Sequence, residues 1–170
     1  AVAAGFMPAA IGTDTAGSIR NPAGVCGIVG LKPTYDLVSR KGVFPLAYSL
    51  DHVGPLTRTV ADAATLLGVM ATRPPERPYA RALDAGVKGL RIGFVRHFHE
   101  VDMPASAETT AALERAAHLL QGEGAIVTTV ALPQLNRFST VSRTMLIAEA
   151  WSIHQRWLSE RRSEEHTSEL

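Results

Sequence analysis

The sequence predicts an α/β fold, and three observations carry that prediction. First, residues 90–131 read as strand, helix and strand: LRIGFV, then an apolar-striped run opened by Ser106, then AIVTTVA. That spacing resembles a βαβ unit, in which two strands are joined by a helical crossover. Second, glycine is concentrated in residues 1–56, which predicts strand and loop there, followed by helices with strands between them. Third, 46% hydrophobic and 19% charged residues over 170 positions describe a globular chain long enough to bury a core.

Each element follows from local pattern. FMPAAIGT, residues 6–13, reads as a buried strand running into the turn DTAGS, and Pro8 belongs at a strand start rather than in its centre. IVGL, residues 28–31, is a short extended piece. Thr59-Val-Ala-Asp62 has the form of a capping box and opens a helix to about Ala71, with Val60, Ala63, Ala64, Leu67 and Met70 on one face. Pro74-Pro75 ends it, and residues 73–87 read as an exposed connector. Ser106 caps a helix through about Gln121, striped by Leu113, Ala116, Ala117 and Leu120 and stopped by Gly122 and Gly124. Ser139 or Thr140 is expected to cap a third helix to about Leu158.

Composition removes several function classes. Seventeen Lys and Arg against sixteen Asp and Glu leave a formal charge of +1, so the chain has no electrostatic footprint for direct nucleic-acid or anionic-lipid binding. A single cysteine, Cys26, excludes an internal disulfide framework and a multi-cysteine zinc site. No apolar run approaches the ~18 residues of a membrane-spanning helix. AVAAGFMPAAIG lacks a preceding basic segment and reads poorly as a signal peptide, so a cytoplasmic protein is expected. The absence of an initiator Met leads us to expect that residue 1 is not the true start.

The stretch that carries chemistry is Gly12-Thr-Asp-Thr-Ala-Gly-Ser-Ile-Arg20. A serine at the end of a small-residue turn can present its hydroxyl to a carbonyl carbon, with backbone N–H groups crowded where the oxyanion forms. Bulky side chains would hold a substrate off, so Ala16 and Gly17 suit the chemistry. A phosphate loop is excluded because Ser18 stands where that motif needs lysine. The G-x-S-x-G elbow of His-assisted serine hydrolases is absent. The histidines lie in unrelated settings, and His97 and His99, two residues apart in an expected loop, make a poor metal site without a third ligand. No metal and no organic cofactor is implied.

GTDTAGSIRNPAGVCGIVGLKPTY, followed by VSRKGVFPLAYSLDHVGPLTRTVADAA, closely resembles the amidase signature family over residues 1–71, with a looser likeness to 160. The resemblance implies a mixed β-sheet flanked by helices on both faces and hydrolysis of a carboxylic acid amide to acid and ammonia. It implies Ser18 as the acyl-forming nucleophile, and the N–H groups of Thr15, Ala16, Gly17 and Ser18 as the oxyanion hole. Asp14 and Arg20 are implied as loop supports. The family's other catalytic groups, a Lys and a Ser in a cis peptide, lie upstream of position 1. A buried, neutral Lys is a chemically sound proton acceptor. Lys32, Lys41 and Lys88 do not match its position.

Within the family two activities are implied: a stand-alone amidase with a small-molecule amide substrate, which we favour here, and the A subunit of a glutamyl-tRNA(Gln)/aspartyl-tRNA(Asn) amidotransferase. A catalytically inactive fragment or homologue is the non-enzyme alternative, and a homo-oligomer is left open. On this reading residues 1–161 form a partial amidase domain. Residues 162–170, RSEEHTSEL, resemble the one-frame translation of a common sequencing-library adapter and are expected to be a non-native tail.

Other residues receive structural expectations. Ala16 stands where the family has glycine, which is tolerable with a negative φ. Asp36 also replaces a glycine and suits the left-handed region. Cys26 is expected to be a small buried residue, Asp51-His52 to brace loops, and Trp151 and Trp157 to lie in a core or interface. Phe44 and Tyr48 are possible neighbours of a substrate.

Overall fold

A computed structural model of the chain describes residues 1–73 and 75–161. The predicted non-native tail and Pro74 lie outside the described residues. The chain divides into two compact units, residues 1–83 with 143 onward, and residues 84–142.

In the first unit, β1 (Ala9–Asp14), β2 (Val29–Gly30) and β3 (His52–Thr57) form an antiparallel sheet in the order β1-β3-β2. Ala9 pairs with Thr57 and Asp14 with His52. β3 was not anticipated, because HVGPLT lacks polar–apolar alternation and carries a proline at its centre. The pairing explains why Pro55 is tolerated there: its carbonyl accepts from Leu31 N, so its backbone nitrogen points to the side where the ladder to β2 has already ended.

The two faces of this sheet carry different helices. Val53 meets Val38 and Leu67 in a buried cluster on one face, with Leu67 supplied by α2 (Val60–Met70). Gly12, Gly54 and Gly30 lie on the other, since Gly12 pairs with Gly54 and Gly30 with Leu56, and strand residues alternate. There Ile19, 0% exposed, fills the space over the three glycines. α1 (Arg20–Cys26) packs on this face through Ala23. Helices on both faces are therefore present. α1 corrects the expectation of strand and loop for residues 1–56. Asn-Pro and Gly24 read as turn residues in isolation, but Pro22 falls in the first helical turn, where no intrahelical N–H is needed.

The Thr59 cap is present, with its hydroxyl oxygen accepting from Asp62 N at 3.1 Å. The reciprocal half of the box differs, because the Thr59 hydroxyl donates to the Asp62 carboxylate. α2 ends at Met70, before the prolines, and Val60 in its first turn is exposed. The connector is mostly exposed, but Tyr79 packs against the Val38 cluster from a short 3-10 segment.

In the second unit, β4 (Arg91–Phe94), α3 (Ala107–Gly122) and β5 (Ile126–Thr129) form the predicted βαβ unit, with β4 and β5 parallel. Ser106 caps α3, accepting from Thr109 N at 3.2 Å. Of the expected stripe, Ala117 is buried while Leu113 is exposed. His99 belongs to a π-helical turn at Phe98–Asp102 and His97 is its N-terminal flanking residue, so the pair is not in a plain loop. α4 (Leu135–Glu160) begins four residues before the expected cap. Its first amide, Leu135 N, donates to Asp102 at 2.7 Å, so a distant carboxylate does the work assigned to Ser139. Ser139 instead lies inside the helix and donates to Leu135 O.

Candidate active site

β1 ends at Asp14, and the chain turns through Thr15, Ala16, Gly17 and Ser18 into α1. Three features set this turn. Gly17 adopts φ 130°, where a side chain would be strained and a Cβ would lie 2.7 Å from Asn21 Nδ2. Ala16 does not share that conformation, since Asp36 is the one non-glycine described with positive φ. Ile19, immediately after Ser18, is anchored in the glycine-lined space over the sheet, which fixes Ser18 from its C-terminal side.

Asp14 supplies the electrostatic anchor. It is 0% exposed, and its carboxylate accepts from Gly17 N at 2.7 Å, Ile19 N at 3.3 Å and Arg20 N at 3.4 Å. Arg20 adds a two-point contact, Nε to Oδ2 at 2.9 Å and Nη2 to Oδ1 at 3.0 Å. Burial by itself raises the Asp14 pKa. The Arg20 hydrogen bonds and charge, with the amides of Gly17 and Ile19, outweigh it and hold the group at about 2. Asp14, paired with Arg20, thus grips the turn through one buried carboxylate.

Ser18 is exposed and lines a pocket of about 330 Å³ with Thr13 and Thr15. The loop bearing Phe44, Leu46 and Tyr48 lines the same pocket. Among the described residues, the amides of Thr15, Ala16 and Ser18 have no hydrogen-bond acceptor, while that of Gly17 is already engaged by Asp14. Of the four amides expected as oxyanion donors, that of Gly17 is thus corrected to a structural role, because the Asp14 carboxylate takes it, and those of Thr15, Ala16 and Ser18 stay free.

Asp51 and His52 brace this pocket. Asp51, 7% exposed, accepts from the Thr15 hydroxyl at 2.6 Å and from Leu46 N and Ala47 N at 2.8 and 3.0 Å. His52 Nδ1 lies 2.6 Å from Leu50 O, and a carbonyl only accepts, so Nδ1 carries the proton. Nε2 is then the acceptor for Lys32 Nζ at 3.3 Å. With both ring nitrogens committed, His52 is unsuited to act as base for Ser18, and Lys32 is engaged by His52.

Elsewhere, the expectation for Cys26 needs correction, while the tryptophans and His99 acquire a defined setting. Cys26 is exposed, not buried, because it ends the short α1. Trp151 and Trp157 are half exposed, although Trp157 stacks on Phe44 at 5.4 Å between ring centres. His99 does gain two neighbours of ligand type, Glu100 and Glu114, within 4.8 Å. The Arg96 guanidinium already pairs with Glu114 and lies 3.9 Å from Glu100, so this is an ion-paired cluster. Sequence spacing cannot show it, because Glu114 comes from α3.

Comparison with known proteins agrees with the geometry. The family model described as Amidase matches residues 1–170, and the chain belongs to the amidase family. It is 47% identical over 142 residues to the A subunit of the glutamyl-tRNA(Gln) amidotransferase of Roseiflexus castenholzii, covering 78% of this chain and 29% of that protein. The solved peptide amidase of Stenotrophomonas maltophilia is 36% identical with a TM-score of 0.77, over 95% of this chain and 35% of that one. The solved A subunit of the Thermotoga maritima glutamyl-tRNA(Gln) amidotransferase is 34% identical with a TM-score of 0.82, over 97% and 39%. The chain thus spans under a third of the length of the Roseiflexus relative.

Proposed function

We propose that the protein carrying this chain hydrolyses a small carboxylic acid amide with Ser18 as acyl-forming nucleophile. The observation that carries this reading is the exposed Ser18 on a pocket wall, in a turn whose Thr15, Ala16 and Ser18 amides are free and whose backbone Asp14 grips. In this reading Ser18 Oγ attacks the amide carbonyl carbon and those amides receive the oxyanion. The hydroxyl proton passes through a second serine to a neutral lysine, both supplied from outside this chain, and then reaches the departing amine or ammonia. Water releases the acid by the reverse route. In this reading the reaction needs no metal or organic cofactor and takes place in the cytoplasm.

In the full-length protein, Ser18→Ala is expected to lower amide turnover by about 10⁴-fold or more, as loss of a nucleophile does elsewhere, with an unchanged circular dichroism spectrum. Turnover equal to the parent's overturns the assignment. A second reading is favoured by the 47% identity to the Roseiflexus amidotransferase component: Ser18 then releases ammonia from glutamine for transfer within a multi-subunit enzyme. Strict glutamine dependence and a requirement for partner proteins select that reading. Turnover of simple amides by the protein alone selects the stand-alone amidase.

A further inference from the structure

We propose that Asp51 is a positioning residue that locks the substrate-facing loop to the oxyanion-forming turn, so that pocket wall and amide donors are set by one carboxylate. This inference rests on the amidase reading of Ser18. Asp51 stands at the foot of β3, next to His52, and is 7% exposed. One of its oxygens, Oδ1, accepts from the Thr15 hydroxyl at 2.6 Å. The other, Oδ2, accepts from Leu46 N and Ala47 N at 2.8 and 3.0 Å. Thr15 begins the turn that carries Ser18, whereas Leu46 belongs to a separate segment that lines the same pocket. The carboxylate, 36 residues from Thr15 in sequence, therefore bridges two segments that must hold a fixed spacing around a substrate.

The loop is otherwise held away from the turn. Tyr35 donates to Tyr48 O at 2.6 Å and Arg40 also donates to that carbonyl. Glu149 accepts from Ser49 N at 2.9 Å, and Pro45 O lies 2.9 Å from His154 Nε2. These contacts tie the loop to Tyr35, Arg40 and α4, and none of them reaches the Ser18 turn. Of the hydrogen bonds among the described residues, those of Asp51 connect it to the Ser18 turn. The hydroxyl of Thr15 is thereby directed to Asp51, and its amide stays free, which is the division of labour an oxyanion donor needs.

The role predicts a particular kinetic signature. Loss of the bridge displaces the donors without removing them, and misplacement by about 1 Å costs about 100-fold in rate. In the full-length protein, Asp51→Ala is expected to lower kcat by about 100-fold while KM changes about threefold or less. Asp51→Asn keeps an oxygen for the two loop amides and can donate to the Thr15 oxygen, so it is expected to recover at least about tenfold of the kcat lost in Asp51→Ala. Thr15→Val removes only the hydroxyl and tests the bridge where Asp51→Ala fails to fold; its kcat is expected to fall about tenfold with KM held. Rates are measured well below each variant's Tm, and Ser18 labelling by a fluorophosphonate is followed in parallel. Slowed labelling in step with kcat supports the proposal. Thr15→Val and Asp51→Ala proteins that turn over and label like the parent overturn it, as does a loss confined to KM. If the parent protein itself shows no Ser18-dependent turnover, the amidase reading has failed, which is a separate outcome.

Discussion

In residues 12–57 the backbone is held by side chains reaching across the chain: Asp14 grips the turn after β1, Asp51 ties that turn to residues 46 and 47, and Ile19 packs over glycines of three strands. In residues 91–129 the backbone is held by a parallel ladder between β4 and β5 and by a helix whose cap, Ser106, accepts from an amide three residues on. The first region leaves amides free and a hydroxyl exposed, which a periodic element does not do because its own ladder consumes those donors. Its cost is intolerance of change, since every anchor is a close approach or a buried charge. The second region is generic, and its substitutions have ordinary consequences.

The sharpest break of this contrast is at the glycines. A Cβ on Gly54 would lie 2.1 Å from Leu31 O, a backbone atom that cannot yield, whereas one on Gly93 of β4 would meet Val130 Cγ2 at 3.0 Å, the end of a side chain that can. Gly54→Ala is expected to destabilise the first unit by about 3 kcal/mol or more and Gly93→Ala the second by about 1 kcal/mol, read by urea unfolding. Equal costs would remove the distinction.

Acid sensitivity comes next. Asp14 is held at about 2 in the folded chain against 3.8 for an ordinary aspartate. Its contribution is fully present above pH 3.8 and is lost as pH falls through about 2. It amounts to about 2 kcal/mol at most, because the half-exposed Arg20 is screened by solvent. Stability measured from pH 5 to pH 2 should decline by that amount in the parent and decline less in Asp14→Asn. Parallel curves would show that the turn is not held by this charge.

Two smaller tests concern the second unit. Ser106→Ala removes the α3 cap and should cost about 1 kcal/mol, seen as faster amide exchange at the start of α3 with no change near Ser18. Gly122→Ala, at the last residue of α3 with open space around its Cα, should stabilise by about 0.5 kcal/mol in thermal unfolding. A stabilising change of that kind is not expected at Gly17, where φ is 130°.

What was legible in the sequence follows the same division. Thr59 and Ser106 announce their helices because a cap acts on amides three residues away. Asp36 was readable as a left-handed residue, and it adopts φ 60° while pairing with Arg40 four residues on. The start of α4 was misplaced because its acceptor, Asp102, is 33 residues upstream. β3 was missed because a strand with a glycine and a proline at its centre is stable only when neighbours fill the space and the proline faces a finished ladder. Ser18, Asp14 and Arg20 were found from a motif. The partner of Asp51 was not, because nothing local links Thr15 to Asp51.

The sequence by itself determined the βαβ unit, two helix caps, the small-residue turn with Ser18 at its end and the family to which the chain belongs. These depend on interactions within a few residues or on a long recognisable string. Only the tertiary structure decided which amides of the turn stay free, that Ile19 anchors the Ser18 turn over the sheet, and that one buried carboxylate joins the turn to the pocket wall. Those outcomes depend on hydrogen bonds and close packing between segments far apart in the chain, and such contacts exist only once the strands have paired.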